Sequence, residues 1–113
     1  MAKKKRSGTI MNCVNITGYL TKELSLKILE NGTKVLNIRL ANNQSKKNTS
    51  GEYEVCFFNM VAYNQIAENM CQHLKKGDRI GVTGKLISEQ YRDKENREYE
   101  ITKIIIQHVD YLM

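Results

Sequence analysis

Apolar and polar positions alternate with a period of two along much of the chain. Ile10, Val14, Ile16, Gly18 and Leu20 interleave with Cys13, Asn15, Thr17 and Tyr19, which predicts a strand with one buried face. Leu24, Leu26 and Ile28 carry the alternation on to Asn31-Gly32, a pair that tolerates positive φ and predicts a hairpin turn. The return strand sets Leu36, Ile38 and Leu40 on one side and Val35, Asn37 and Arg39 on the other. From Asn42 to Gly51 the pattern lapses into polar residues around Lys46 and Lys47, which predicts a mobile loop. Tyr53 to Tyr63 resumes as a long strand, with Tyr53, Val55, Phe57, Asn59, Val61 and Tyr63 on one face and Phe58 turned to the core on the other.

The period then changes. Asn64 stands as N-cap to a short helix whose stripe is Ile66, Ala67, Met70, Cys71 and Leu74, with Glu68 in its first turn and Gly77 just past its end. Ile80 to Leu86 is the next strand, and its small residues Gly81 and Thr83 predict close backbone approach or tight curvature there. Ser88 to Tyr91 extends it outward, Arg92 to Glu98 forms a charged hairpin tip, and Tyr99 to Val109 returns through Ile104-Ile105-Ile106. Five strands with one short helix between the third and fourth predict an all-β, five-stranded Greek-key barrel of the OB type. The domain is expected over 11–113, after a basic extension at 1–10.

Composition narrows the function. The 113 residues suffice for one core, and no apolar run approaches the ~18 residues of a membrane span. No apolar signal segment opens the chain, so the expectation is a soluble, intracellular, cytoplasmic protein. Cys13, Cys56 and Cys71 contain no CxxC pair and leave one thiol over in any disulfide scheme, which fits a reducing compartment. His73 and His108 have no partners at metal-ligand spacing, and neither a phosphate loop nor a nucleophile motif is present, so no cofactor, metal or enzymatic activity is expected.

The net charge of +6 points to an anionic partner, but its distribution matters. Lys3, Lys4, Lys5 and Arg6 supply four of the 18 cations, leaving 14 against 12 acids from residue 11 onward, or +2. The basic head is either a nucleic-acid arm or a solvated end before an alternative start at Met11. With so small an excess, the body needs cations gathered on one face or contacts that are not ionic. Exposed aromatic rings beside lysines meet that need, because every unstacked base presents a π-face worth ~1–3 kcal/mol to a ring.

Several ordered segments resemble the bacterial and phage single-stranded DNA-binding protein family. They are Met11-Asn12-Cys13-Val14 with Gly18-Tyr19-Leu20-Thr21, then Asn37-Ile38-Arg39-Leu40-Ala41, then Phe57-Phe58-Asn59-Met60-Val61-Ala62-Tyr63. Ala67-Glu68-Asn69, Leu74-Lys75-Lys76-Gly77 and Val82-Thr83-Gly84-Lys85-Leu86 follow in the same order. The resemblance implies an OB-fold that binds and protects single-stranded DNA with little sequence preference in replication, recombination or repair. It also implies assembly as a homo-dimer or homo-tetramer, and a place in a bacterial cytoplasm, whether the chain serves a host or a mobile element.

Carried over position by position, the resemblance makes Phe57, Tyr63 and Tyr91 the stacking rings. The aromatic that the family often has in the loop after its second strand is replaced here near Lys46, which suggests a phosphate contact instead. The proline-containing turn common after the first strand is absent at Glu23-Leu24. Lys46, Lys47, Lys85, Arg92 and Lys94 are the candidate phosphate contacts, and the tip Arg92 to Glu98 reads either as a solvated hairpin or as a binding lip. The chain stops at Val109-Asp110-Tyr111-Leu112-Met113 without the acidic tip that recruits partners in the family, so recruitment through such a tip is not expected. The competing reading is a replication or primosome adaptor of the same fold that works through protein contacts.

Overall fold

The computed structural model describes residues 10–112; the basic head from Lys3 to Arg6 lies outside them. The elements run β1 (Val14–Leu20), β2 (Lys27–Ile28), β3 (Lys34–Lys47), β4 (Tyr53–Tyr63), α1 (Asn64–His73), β5 (Arg79–Arg92) and β6 (Glu98–Tyr111). The sheet order is β1-β5-β6-β4-β3-β2, and β1 also pairs with β3 at Tyr19↔Ala41 and Leu20↔Leu40. That pairing closes five long strands into a barrel. All the pairings are antiparallel except β4 with β6, which run parallel through Met60↔Ile104 and Val61↔Ile105. The expected five-stranded barrel is therefore present, with two-residue β2 as an addition and the helix between β4 and β5.

Even-numbered positions fill the barrel: Leu20, Leu36, Ile38, Leu40, Met60, Ala62, Ile80, Val82, Ile104 and Ile106. Ala67 and Met70 of α1, with Leu74 just after it, join the same cluster, so the helix closes one end of the core. Phe58 and Cys71 pack against it partly buried, and burial pushes the Cys71 thiol above its ordinary pKa. Two glycines let backbones meet. A Cβ on Gly18 would lie 2.4 Å from the Ala41 carbonyl oxygen where β1 passes from β5 to β3, and one on Gly84 would lie 2.2 Å from the Ile105 oxygen at the bulge in β5–β6. Gly81, the position expected to be tight, has ordinary space, with its nearest neighbour at 3.6 Å. The sheet is pinched at Gly84, where the bulge brings the Ile105 carbonyl against the β5 backbone, rather than at Gly81.

Several local expectations are revised. Residues 42–51 are not a loop. β3 continues to Lys47, pairing Asn42 with Cys56 and Asn43 with Val55, and only a short turn remains, in which Asn48 accepts from Ser50 N and Glu52 N. The pattern lapses because this ribbon projects past the barrel and has no buried face, while cross-strand backbone bonds still hold it. The helix is not capped by Asn64, whose φ is +51° and whose Oδ1 instead accepts from Lys34 N at 3.0 Å. Tyr63 occupies the cap position with no side-chain bond, and an ion pair between Lys34 and Glu68 ties the helix to β3. β1 begins at Val14 rather than Ile10, but the Asn12 amide both donates to Leu86 O and accepts from Leu86 N, at 2.9 Å each, imitating one more rung of strand. Leu24 and Leu26 pack on the core without joining a strand. The Asn31-Gly32 turn forms as expected, with Gly32 at φ +90°.

Candidate nucleic-acid interface

Odd-numbered residues of β4 face outward, in register with β3: Tyr63 beside Val35, Val61 beside Asn37, Asn59 beside Arg39, Phe57 beside Ala41 and Tyr53 beside Lys47. Val61, 1% exposed, is the one covered residue of this row, seated between Asn37 and Ile105. Through the Val61↔Ile105 pairing the row continues onto β6 and β5, where Ile105 faces Lys85, Lys103 faces Ile87, Ile101 faces Glu89 and Tyr99 faces Tyr91. Laterally paired residues share a sheet face. One outer surface thus runs from the β3–β4 ribbon across the barrel to the β5–β6 arm.

Five rings stand on it. Tyr53, Phe57, Tyr63, Tyr91 and Tyr99 are between 38% and 55% exposed, which is too open for core residues. Cations sit directly over two of them: the Arg39 guanidinium lies 4.5 Å from the Phe57 centroid, and Lys47 Nζ lies 5.1 Å from that of Tyr53. Each such contact is worth ~0.5–1 kcal/mol at an exposed site and leaves the cation's outer side open to an anion. On the arm, Tyr91 and Tyr99 stack at 5.6 Å and 24°. The Tyr91 hydroxyl donates to Glu89, which also pairs with Lys103. Beside Arg39 and Asn59 a groove of about 420 Å³ opens against Thr21 to Ser25, held by a bond from the Thr21 hydroxyl to Arg39 O.

The structure brings Phe57, Tyr63, Tyr91, Lys47 and Lys85 onto this face. Arg92 falls on the opposite side of the arm, where Glu98 holds it at 2.6 Å and Asn96 Oδ1 at 3.1 Å. Lys94 is exposed at the tip, in a turn organised by Asp93, whose carboxylate accepts from Glu95 N and Arg97 N and is thereby held below the usual carboxylate range. Lys46 is exposed where the ribbon's register shifts between Asn43 and Lys47. Tyr53, Tyr99, Arg39, Lys103 and Glu89 were not singled out from sequence. Tyr53 was signalled by its even spacing from Phe57 and Tyr63, and Tyr99 by mirroring Tyr91 about the tip; Arg39 and Lys103 depend on register across strands. Among the described residues no group of three or more His, Cys, Asp or Glu could hold a metal ion, and no helix is long and apolar enough to cross a membrane.

The sequence profile of the Single-strand binding protein family matches residues 11–112. The chain belongs to that family. Among single-strand binding proteins it is 35% identical over 103 residues to the single-stranded DNA-binding protein of Halalkalibacterium halodurans, covering 91% of this chain and 61% of the relative. It is also 35% identical to single-stranded DNA-binding protein 2 of Staphylococcus aureus strain COL, covering 91% of this chain and 74% of that one. The chain thus spans about 61% of the length of the first of these relatives. A solved chain from a Plasmodium falciparum single-strand binding protein complex with single-stranded DNA aligns over 96% of this chain and 100% of its own, with a TM-score of 0.80 and 25% identity.

Proposed function

We propose that this protein binds and protects single-stranded DNA with little sequence preference, in replication, recombination or repair. The observation that carries the reading is the continuous outer face on which five exposed rings alternate with cations, two of them seated directly on rings. Rings supply the larger share of affinity, ~1–3 kcal/mol per stacked base, so a body with little excess charge suffices. Phe57, Tyr63 and Tyr91 stack on bases, joined by Tyr53 and Tyr99. Lys46, Lys47, Lys85 and Lys94 meet phosphates, together with Arg39; Arg92, tied to Glu98, contributes least. The named relatives, single-stranded DNA-binding proteins of bacteria, support the same reading and an intracellular place of action.

Assembly into a homo-dimer or homo-tetramer belongs to this proposal. β1 pairs with β5 along Val14–Tyr19 but meets β3 only at Tyr19 and Leu20, so its other edge from Val14 to Thr17 is free of strand partners among the described residues. Such an edge pairs readily with a second copy.

The test is a titration of labelled oligothymidine and of a duplex of equal length, each at two salt concentrations. Tight binding of the single strand, with weaker and strongly salt-dependent binding of the duplex, is expected. Equal affinity for both, or no binding of either, would sink the reading and leave an adaptor acting through protein contacts.

A further inference from the structure

The β5–β6 arm places an acid in the middle of a surface otherwise made of rings and cations. Glu89 Oε1 lies 2.7 Å from Lys103 Nζ and accepts the Tyr91 hydroxyl at 2.5 Å. In register Glu89 faces Ile101 and Lys103 faces Ile87, so the ion pair runs diagonally between adjacent rungs of the binding face. Lys103 is the more enclosed partner, its side chain 20% exposed against 39% for Glu89. The bond to Lys103 and then that to Tyr91 hold the Glu89 carboxyl below its usual range, while Glu89 raises the Lys103 ammonium above its own. Both are therefore ionised at neutral pH, and a phosphate approaching them meets almost no net charge. The contrast with Arg39 and Lys47 is direct, because those cations rest on neutral rings and have no ion-pair partner among the described residues.

We infer that Glu89 masks Lys103 from phosphate, so that the middle of the β5–β6 arm, between Lys85 and the tip at Lys94, binds through its rings while the β3–β4 ribbon, Lys85 and Lys94 bind through charge. The inference rests on the reading above of a single-strand binding face. Glu89 is a positioning residue in this scheme: it acts on nucleic acid through Lys103 and Tyr91. Its consequence is that the middle of the arm adds little to the salt dependence of binding, and that removing the Glu89 charge adds one phosphate contact there.

The experiment follows oligothymidine affinity across a salt series for the wild type, E89Q, K103M, the E89Q/K103M double variant and E100Q. Glu100 lies on the opposite face of the arm, opposite Gln90 in register, so E100Q makes the same change in net charge away from the site. E89Q should steepen the slope of log affinity against log salt by ~0.7, the equivalent of one more neutralised phosphate, and so lose about fivefold more affinity than the wild type over a tenfold rise in salt. K103M alone, which leaves the Glu89 charge bare, should weaken binding without steepening the slope, K103M added to E89Q should remove the extra ~0.7, and E100Q should match the wild type. A slope unchanged in E89Q, a steepening reproduced by E100Q, or one that persists in E89Q/K103M would overturn the masking role; Glu89 would then be only a tether for Tyr91. Failure of the wild type itself to bind oligothymidine would overturn the parent reading first, and this inference with it.

Discussion

At the residue scale, the decisive distinction is between rings that hold the barrel together and rings that lie on it. Phe57 and Phe58 are neighbours in sequence, yet Phe58 packs against the core and Phe57 is half exposed beneath Arg39. Phe57→Ala, Tyr63→Ala and Tyr91→Ala should each weaken oligothymidine binding by ~1–3 kcal/mol, about 5- to 150-fold, with the melting temperature nearly unchanged. A normal affinity together with a large loss of stability at Phe57 would return that ring to the core. Tyr91 adds a pH signature. Its bond to Glu89 favours the neutral phenol in the folded chain and raises its pKa above the ordinary value of ~10. That contribution is present below the ordinary phenol value and is lost as pH rises through the raised one. The Glu89 carboxyl works in the opposite sense, stabilising the fold above the ordinary carboxyl range and ceasing to as pH falls through its depressed value. Titration of the tyrosine rings by NMR should find Tyr91 above the ordinary phenol range in the wild type and lower in E89Q.

At the scale of elements, two antiparallel ribbons project from one barrel and are stabilised by the same means. The β3–β4 ribbon ends in a turn wrapped around the Asn48 side chain, and the β5–β6 arm ends in one wrapped around Asp93. Neither buries a face in the barrel core, so both depend on backbone pairing, turn chemistry and cross-strand side-chain pairs. Where the ribbons join the barrel, backbone clearance governs. Gly84→Ala forces a methyl group onto the Ile105 carbonyl and should cost ~1–3 kcal/mol in denaturant unfolding, whereas Gly81→Ala makes only ordinary contacts at 3.6 Å and beyond and should be neutral or slightly stabilising. The reverse order would mean that the pinch lies at Gly81 after all.

For the whole molecule, the +6 charge divides into a basic head outside the described residues and a nearly neutral body. If the head takes part in binding, deletion of residues 1–8 flattens the salt slope by ~0.7 for each phosphate that the head had neutralised; an unchanged slope marks it as a bystander. The β1 edge from Val14 to Thr17 has no strand partner among the described residues, and on the proposed assembly light scattering at micromolar concentration should give the mass of a dimer or tetramer. A monomer at that concentration would contradict it. A symmetric assembly repeats the ring-bearing face on each copy and lengthens the strand that can be engaged, with no change inside any subunit.

The barrel and the core-facing positions were legible in the sequence because a half-buried strand writes its burial as a period of two and a packed helix writes its own as 3.6. Leu36, Ile38, Leu40, Met60, Ile80, Val82, Ile104 and Ile106 are buried where the alternation puts them. Phe57, Tyr63 and Tyr91 were legible as candidates for a related reason, since each is a large ring that alternation or family resemblance assigns to an outward place. Tertiary structure alone decided the rest. The stretch 42–51 is largely strand because pairing with β4 holds a ribbon that has no apolar code, and Asn64 bonds Lys34 because β3 happens to pass beside the helix start. Arg39 over Phe57, Tyr91 on Tyr99 and Lys103 bound to Glu89 are meetings between strands, set by register, so neither partner's own neighbours in sequence announce them. Periodicity reports which side of a strand meets water; only the closed barrel reports which residues meet each other there.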